Sequence, residues 1–405
     1  MPIRFLRSVW IIVLVSIPFT SSSFGVEPKP KWDEGDRFEF DGLKVQLSPP
    51  RLVARSQGFL WFPTLLSFGE NHLVAVMSNY ADEARETPTG LLSHSEDGGL
   101  TWSNPQEGRY SECAVRLLNG DTILLPYYLR YRSEDSLVGS YQILKKGQKK
   151  WEIIKEGVEI SGWPRKVGLL DNDLGSPKAE WKLGSFVFNG QIALSDDKKT
   201  HLATLYGRFK GTTRYSLVLA ESSDGLKWKI RSIIADEKCK LKGNEGPCES
   251  ALVRLKDGRL LCVYRLDSGV PYGQSFSSDD GKTWSEPQAM DGPYSVQPSL
   301  AQSSQGILAL SGGRPGLKLW LNRKGDAQKW ESIDLMAHHN KYVKTDPMKK
   351  AQATFDSNTS AYTEVLWLDA QHFLVIYDRL ANGWNPIPKD SKETNSVWVV
   401  RGKIE

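Results

Sequence analysis

The sequence predicts an all-β fold, a six-bladed β-propeller with four-stranded antiparallel blades. Two observations carry that expectation. Pairs of apolar runs with strand alternation, joined by short turns, recur six times along the chain, and several of the units close on a tryptophan-bearing turn. No stretch holds a helical apolar period long enough to give a helix of consequence. A small sheet that cannot bury both faces alone gains its core by packing against copies of itself, which is the logic of a repeat fold.

Taken in order, the N-terminus reads as a processing signal. Arg4 and Arg7 precede an apolar run from Val9 to Phe19, and Ser23-Phe24-Gly25 supplies small residues where signal peptidase reads. The run is shorter than the ~20 residues of a spanning helix. Residues 1–25 are therefore expected to be a signal peptide, leaving no stable membrane anchor and a single secreted or periplasmic domain over 26–405. The strand pattern from Phe38 to Leu47 is expected to complete the last blade.

The hairpins follow. Phe62–Phe68 and Leu73–Met77 flank Gly69-Glu70-Asn71; Cys113–Leu118 and Thr122–Tyr127 flank Asn119-Gly120; Phe186–Leu194 and His201–Tyr206 flank Asp196-Asp197-Lys198. Ala251–Leu255 and Leu260–Tyr264 flank Lys256-Asp257-Gly258; Pro298–Ala301 and Ile307–Leu310 flank Ser303–Gly306; Thr363–Leu368 and Phe373–Tyr377 flank Asp369-Ala370-Gln371. The stretch Ser161–Lys182, rich in Gly, Pro and charge, reads as an insertion between blades.

The fourth unit is the fullest. Its third run, Tyr272–Phe276, ends in Ser277–Trp284, with the order S-x-D-x-G-x-T-W. Ser95–Trp102 repeats that order, Glu221–Trp228 degrades it, and Trp151 and Trp330 close segments without it. The residue types suit a structural turn: Ser and Asp accept from local N–H groups, Gly permits positive φ, and Trp fills space between sheets.

A formal charge of +4 falls to +2 when Arg4 and Arg7 are removed, which calls for neither nucleic acid nor an anionic membrane. Four cysteines in an exported chain allow disulfides, and Cys239 with Cys248 is the expected pair, while Cys113 and Cys262 fall in strand patterns as buried thiols. With no Cys-x-x-Cys and six scattered His, no metal or cofactor is expected.

The hairpin ends opposite the turns are expected to converge. Counting from the turns brings together Trp61 and Phe62 with Ser78–Asp82, Glu112 with Tyr128 and Arg130, and Asn189 with Arg208. The same count pairs Glu249 with Arg265, Gln297 with Arg314, and Tyr362 with Asp378. A ring so rich in arginine, acid and tyrosine suits an anionic or heavily hydroxylated ligand such as a glycan.

These residues resemble the exo-α-sialidase (neuraminidase) superfamily and its Asp-box, or BNR, propellers. Glu249 opens the fourth hairpin in the sequence E-S-A-L-V-R-L-K-D-G, Arg265 closes it, Gly312-Gly313-Arg314-Pro315 follows the fifth, and Ala361-Tyr362-Thr363-Glu364 opens the sixth. The resemblance implies a retaining exo-glycosidase acting on terminal sialic acid or a related acidic sugar. In that scheme Tyr362 is the nucleophile, Glu249 its base and Asp82 the general acid, with Glu83 as the second candidate. Arg265 and Arg314 would hold the substrate carboxylate, with Asp378 beside them. The family's first arginine is replaced here by Trp61, in Trp61-Phe62-Pro63, which offers a stacking surface instead. A sialidase-fold glycosidase for another sugar and a non-catalytic glycan-binding propeller are the alternative readings.

Overall fold

A computed structural model describes residues 35–405 apart from 41, 70, 86–87, 149, 171–181 and 350–357. The expected signal peptide, residues 1–25, lies outside the described residues, as do 171–181 of the expected insertion.

Each of the hairpins read from the sequence forms, with its turn where Gly, Asn or Asp permits one. Three of them grow into four-stranded antiparallel sheets. The first runs Trp61–Ser67, Leu73–Ser78, Thr89–Ser95 and Gln106–Arg109. The second runs Ser250–Arg254, Leu260–Tyr264, Pro271–Ser277 and Gln288–Tyr294, and the third Val296–Gln302, Leu308–Gly313, Lys318–Asn322 and Glu331–Asp334.

The hairpins beginning at Ala114 and Val187 do not stay in separate sheets. Their meanders fuse into one nine-stranded sheet, because the outer strand Glu152–Ser161 runs parallel to Lys227–Ala235 and pairs Ile160 with Trp228. Two edge strands that would each present unpaired N–H and C=O groups thereby satisfy one another. The last sheet departs from expectation in a related way. Its strand Asn395–Ile404 is ten residues long and is shared along one edge by two N-terminal strands, Leu43–Leu47 at one end and Arg51–Ser56 at the other. Asp36–Phe40 pairs outside Leu43–Leu47, so the single strand expected over Phe38–Leu47 is a hairpin.

The core lies between neighbouring sheets. Leu202, Leu217 and Leu219 pack on Leu252, Leu260 and Tyr264, and Ala251, Leu261 and Val263 on Leu300, Leu308 and Leu310. Fully burying one such leucine stabilises by about 1.5–3 kcal/mol, and no sheet could bury both faces without its neighbours. The first strands stand side by side, Ser250–Arg254 between Val187–Leu194 and Val296–Gln302, then Thr363–Trp367 and Trp61–Ser67.

The S-x-D-x-G-x-T-W turns fix the far ends. Ser277 Oγ accepts from Gly281 N at 2.8 Å, and Asp279 accepts from Lys282 N at 3.1 Å and Thr283 N at 2.9 Å. Gly281 has φ +80°, and a Cβ there would lie 2.3 Å from a Leu219 methyl on the preceding sheet. Ser95 and Asp97 repeat the pattern, as do Ser222 and Asp224. Trp284 donates to Ser232 Oγ at 3.0 Å, tying its turn to the sheet before it.

Two expectations are corrected. Cys239 and Cys248 are free, buried thiols. Cys239 packs in the apolar cluster around Leu217 and Tyr264, whereas Cys248 Sγ lies 3.6 Å from the Arg265 carbonyl, so the two thiols face different surroundings. A helix also forms over Leu335–Tyr342, capped by Asp334, which accepts from Ala337 N at 2.9 Å. It escapes a periodicity reading because it is short and its buried side include His338 and His339 beside Leu335 and Met336. His338 meets Ser48 O at 2.9 Å and His339 meets Tyr377 Oη at 3.0 Å, which locks the helix onto the last sheet.

Candidate active site

A cavity of about 240 Å³ opens at the hairpin ends remote from these turns. Glu249 and Arg265 lie directly opposite one another just past the Ser250–Tyr264 pair, with Arg265 N donating to Glu249 O at 2.9 Å. Arg265 Nη1 donates to Glu249 Oε2 at 2.9 Å and approaches the Tyr362 hydroxyl at 3.4 Å. The Tyr362 hydroxyl donates to Glu249 Oε1. Gln297 N adds a third donor to Glu249, at 3.0 Å.

The electrostatics follow from this closeness. Burial pushes the Glu249 carboxyl up, but the Arg265 charge and the donors from Tyr362, Arg265 and Gln297 outweigh it and hold the group below the ordinary range. Burial, then the Glu249 charge, raise the Tyr362 phenol well above its usual value, with Arg265 and Arg314 pulling the other way. The resting pair is thus a neutral phenol hydrogen-bonded to a carboxylate.

Asp82 and Arg314 line the same cavity. Asp82 reaches solvent at the rim, yet the surrounding concave wall desolvates it, and its carboxyl is raised first by that burial and second by Glu249, against Arg314 and Arg265. Glu83 does not join them, because Arg85 Nε engages it at 2.6 Å. Arg314 donates Nη2 to Ser360 O at 2.7 Å and sits over the Trp384 and Tyr362 rings at 4.8 and 5.4 Å.

Two predicted residues are placed elsewhere. Trp61 does not present a face to the cavity: it is 1% exposed, donates Nε1 to Tyr80 O at 2.9 Å, and stacks between Phe59 and Phe62. Phe62 lines the wall instead, at φ +49°, because the strand's register shifts between Trp61 and Thr64 and turns the next side chain inward. Asp378 is fully buried behind the wall. It accepts from Thr359 Oγ1 and Ser360 N, each at 2.8 Å, from Ser360 Oγ, and from Phe62 N at 3.2 Å. It therefore positions the segment carrying Tyr362 rather than touching a ligand. Burial raises its carboxyl despite these donors. Arg55 is also engaged elsewhere, with Asp346 and over the Trp398 ring.

Three of the eight described non-glycine residues with positive φ lie in or beside the cavity wall. Phe62, Arg314 and Ala361, the residue before Tyr362, have φ +49°, +99° and +63°. Strained backbone of this kind persists where surrounding structure enforces it, and it marks functional sites more often than plain turns.

Glu112, which counting from the turns also brings to this end, joins the lining, and the structure adds Tyr110, Tyr127, Tyr206 and Trp384, which that count did not place there. Glu112 lies on the cavity floor, where burial raises its carboxyl to about 8 although Tyr110 Oη at 2.6 Å and Asn189 Nδ2 at 2.8 Å donate to it. Tyr80, Tyr110, Tyr127, Tyr206 and Trp384 complete an aromatic lining. Trp384 comes from the loop after the last hairpin, in Gly383-Trp384-Asn385-Pro386, and a tryptophan amid turn residues was the available signal. A small mouth walled by aromatic rings and charged hydrogen-bonding groups suits one sugar ring: apolar faces pack on rings and hydroxyls meet the polar groups.

No family model matches the chain, and no curated protein matches its sequence. Solved structures share its fold. A Dyadobacter fermentans protein of unknown function superposes with TM-score 0.58 at 16% identity, over 89% of this chain and 99% of that one. The NanB sialidase of Streptococcus pneumoniae gives 0.55 at 15% identity, over 88% of this chain and 70% of that one. An α-L-arabinanase of Penicillium chrysogenum gives 0.55 at 13% identity, over 87% and 98%. The chain therefore has a sialidase-like β-propeller fold, an architecture it shares with propeller glycosidases. At such identities the likeness is one of fold, and function has to be argued from the site.

Proposed function

We propose that the chain is an exported, retaining exo-glycosidase built on a six-bladed propeller, which removes a terminal acidic sugar, sialic acid or a relative, through a tyrosine nucleophile. The observation that carries the reading is the hydrogen-bonded Tyr362–Glu249 couple with Arg265 beside it, facing one cavity with Asp82 and Arg314. An anomeric carbon bearing a carboxylate repels an anionic nucleophile, and a neutral phenol that loses its proton only during attack avoids the repulsion.

In this reading the Tyr362 oxygen bonds to the anomeric carbon as its proton passes to Glu249. The glycosidic C–O bond breaks while Asp82 protonates the leaving oxygen. Water then attacks the glycosyl-tyrosine, giving its proton to Asp82, and Tyr362 leaves with the proton returned by Glu249. Arg314 faces the substrate carboxylate. A different sugar is the second reading, favoured by Trp61 standing where the resemblance expects a third arginine, with the neighbouring Phe62 putting an apolar ring in the cavity wall.

The test is turnover of aryl sialosides, other nonulosonic acid glycosides and aryl uronides by the 26–405 chain, beside Tyr362→Phe. Hydrolysis of an acidic glycoside that Tyr362→Phe abolishes supports the reading. Activity untouched by Tyr362→Phe removes the tyrosine mechanism, and glycan retention on an array without turnover makes the protein a binding module. N-terminal sequencing of the exported protein checks cleavage after Gly25.

A further inference from the structure

Arg265 and Arg314 reach the same cavity, yet their hydrogen-bonding edges are in different states. The described hydrogen bond of the Arg314 guanidinium runs from Nη2 to Ser360 O, its Nε is buried without a partner, and among the described residues no carboxylate lies within ion-pair distance of it. Arg265 is committed on both terminal nitrogens. Nη1 is used by Glu249 and Tyr362, and Nη2 donates to Glu245 Oε1 at 2.7 Å and Ser268 Oγ at 3.3 Å. Its remaining donor, Nε, is buried with no partner.

Glu245 is no loose surface acid. Its carbonyl accepts from Tyr215 N at 2.8 Å, and Asn244 N before it is held by Asp267 Oδ2 at 2.9 Å. Arg214 clamps the loop through Gly243 O at 3.1 Å and Cys239 O at 2.9 Å. Gly246 follows at φ +87°, where a Cβ would lie 2.9 Å from Tyr215 O, so the backbone that presents Glu245 has one tight course. A carboxylate built into the scaffold thus takes Arg265 Nη2, the terminal nitrogen left over once Nη1 is spent on Glu249 and Tyr362.

We infer that Glu245 is a specificity-determining residue: it fills the outer edge of Arg265, so that an acidic sugar in this cavity is held by Arg314 alone. The inference rests on the glycosidase reading for its substrate class. A carboxylate presented to Arg265 meets a guanidinium already balanced by Glu249 and Glu245, and it is repelled by the second acid instead of gaining a bidentate partner. Binding of an acid then exceeds binding of its neutral counterpart by one charged contact, about 10- to 100-fold, and Arg314 supplies it.

The experiment is calorimetric binding of 2,3-didehydro-2-deoxy-N-acetylneuraminic acid and its methyl ester to the 26–405 chain. Wild type, Glu245→Gln, Glu245→Ser and Arg314→Met are compared, each shown folded by its melting curve. The acid-to-ester affinity ratio is expected to rise at least 10-fold in Glu245→Gln or Glu245→Ser and to collapse towards one in Arg314→Met. A ratio unchanged or lowered in the Glu245 variants overturns the inference, as does absence of binding by every protein. The readout requires no turnover, so a rise in the ratio supports the inference even where hydrolysis fails, and the two failures are distinct.

Discussion

Asp378 offers the sharpest test of how the wall of the cavity is built. It accepts from two backbone N–H groups, of Phe62 and Ser360, and from the hydroxyls of Thr359 and Ser360, in a fully buried position. In Asp378→Ala the hydroxyls can rotate to other acceptors, but the two N–H groups cannot. Each buried donor left unsatisfied is worth about 1–3 kcal/mol, so the substitution should destabilise by roughly 2–6 kcal/mol, a large share of the ~5–15 kcal/mol of a typical protein. Asp378→Asn keeps one acceptor oxygen and turns an NH₂ group towards the other donors, so it should lose about half as much. Urea unfolding followed by tryptophan fluorescence measures both. The same change loosens Ser360, whose Oγ accepts from Tyr362 N at 3.2 Å, so catalytic turnover should fall about 100-fold or more wherever a substrate is turned over. A loss below about 1 kcal/mol in the alanine variant, or equal losses in both variants, would refute the reasoning.

The buried acids of the interior predict an unusual pH dependence. Glu112 is raised to about 8 and Glu364 to about 7, both first by burial, against the ordinary 4.5. The folded state therefore holds protons that the unfolded chain releases, and stability should fall as pH rises from about 4.5 through 7 to 8, then level off. Either glutamine variant should flatten that slope by on the order of 3 kcal/mol between pH 5 and 8, read from urea midpoints; parallel profiles would contradict it. Asp97 has the opposite sign. Burial opposes it, but Thr101, Ser95 and Leu100 donors hold it below the ordinary value, so its contribution is present above about pH 4 and disappears as pH falls below that. Asp97→Ala should lower stability at neutral pH by about 1–2 kcal/mol and make the acid limb of the unfolding curve shallower. For the reaction, Asp82 must carry a proton to act as the acid, so turnover should decline as pH rises through its raised value. Asp82→Asn should remove that limb and spare substrates with good leaving groups, and an unchanged pH–rate profile would discard the role.

The chain itself carries the period, the turns and the register. Gly281 must be glycine because of φ +80° and Leu219, and Asp257-Gly258 places Glu249 across from Arg265 by counting alone. Tyr362 and Arg314 are legible for the same reason: strand alternation fixes which end and face a residue occupies. What counting cannot supply is anything that depends on one blade meeting another or on a local break in the period. The register shift after Trp61 turns Phe62 inward and buries the indole, a change of one residue that inverts the face. The fused edge of Glu152–Ser161 with Lys227–Ala235 and the three-way closure of Asn395–Ile404 join segments far apart in sequence. Asp378 moves behind the wall because its acceptors are used by residues of two hairpins at once. Sequence alone determined which side chains gather at the open ends of the hairpins; the tertiary structure decided how their donors and acceptors are spent, leaving Arg314 with an open edge and Arg265 without one. Hydrogen-bond capacity is a property of neighbours in space, and only the packed sheets set those neighbours.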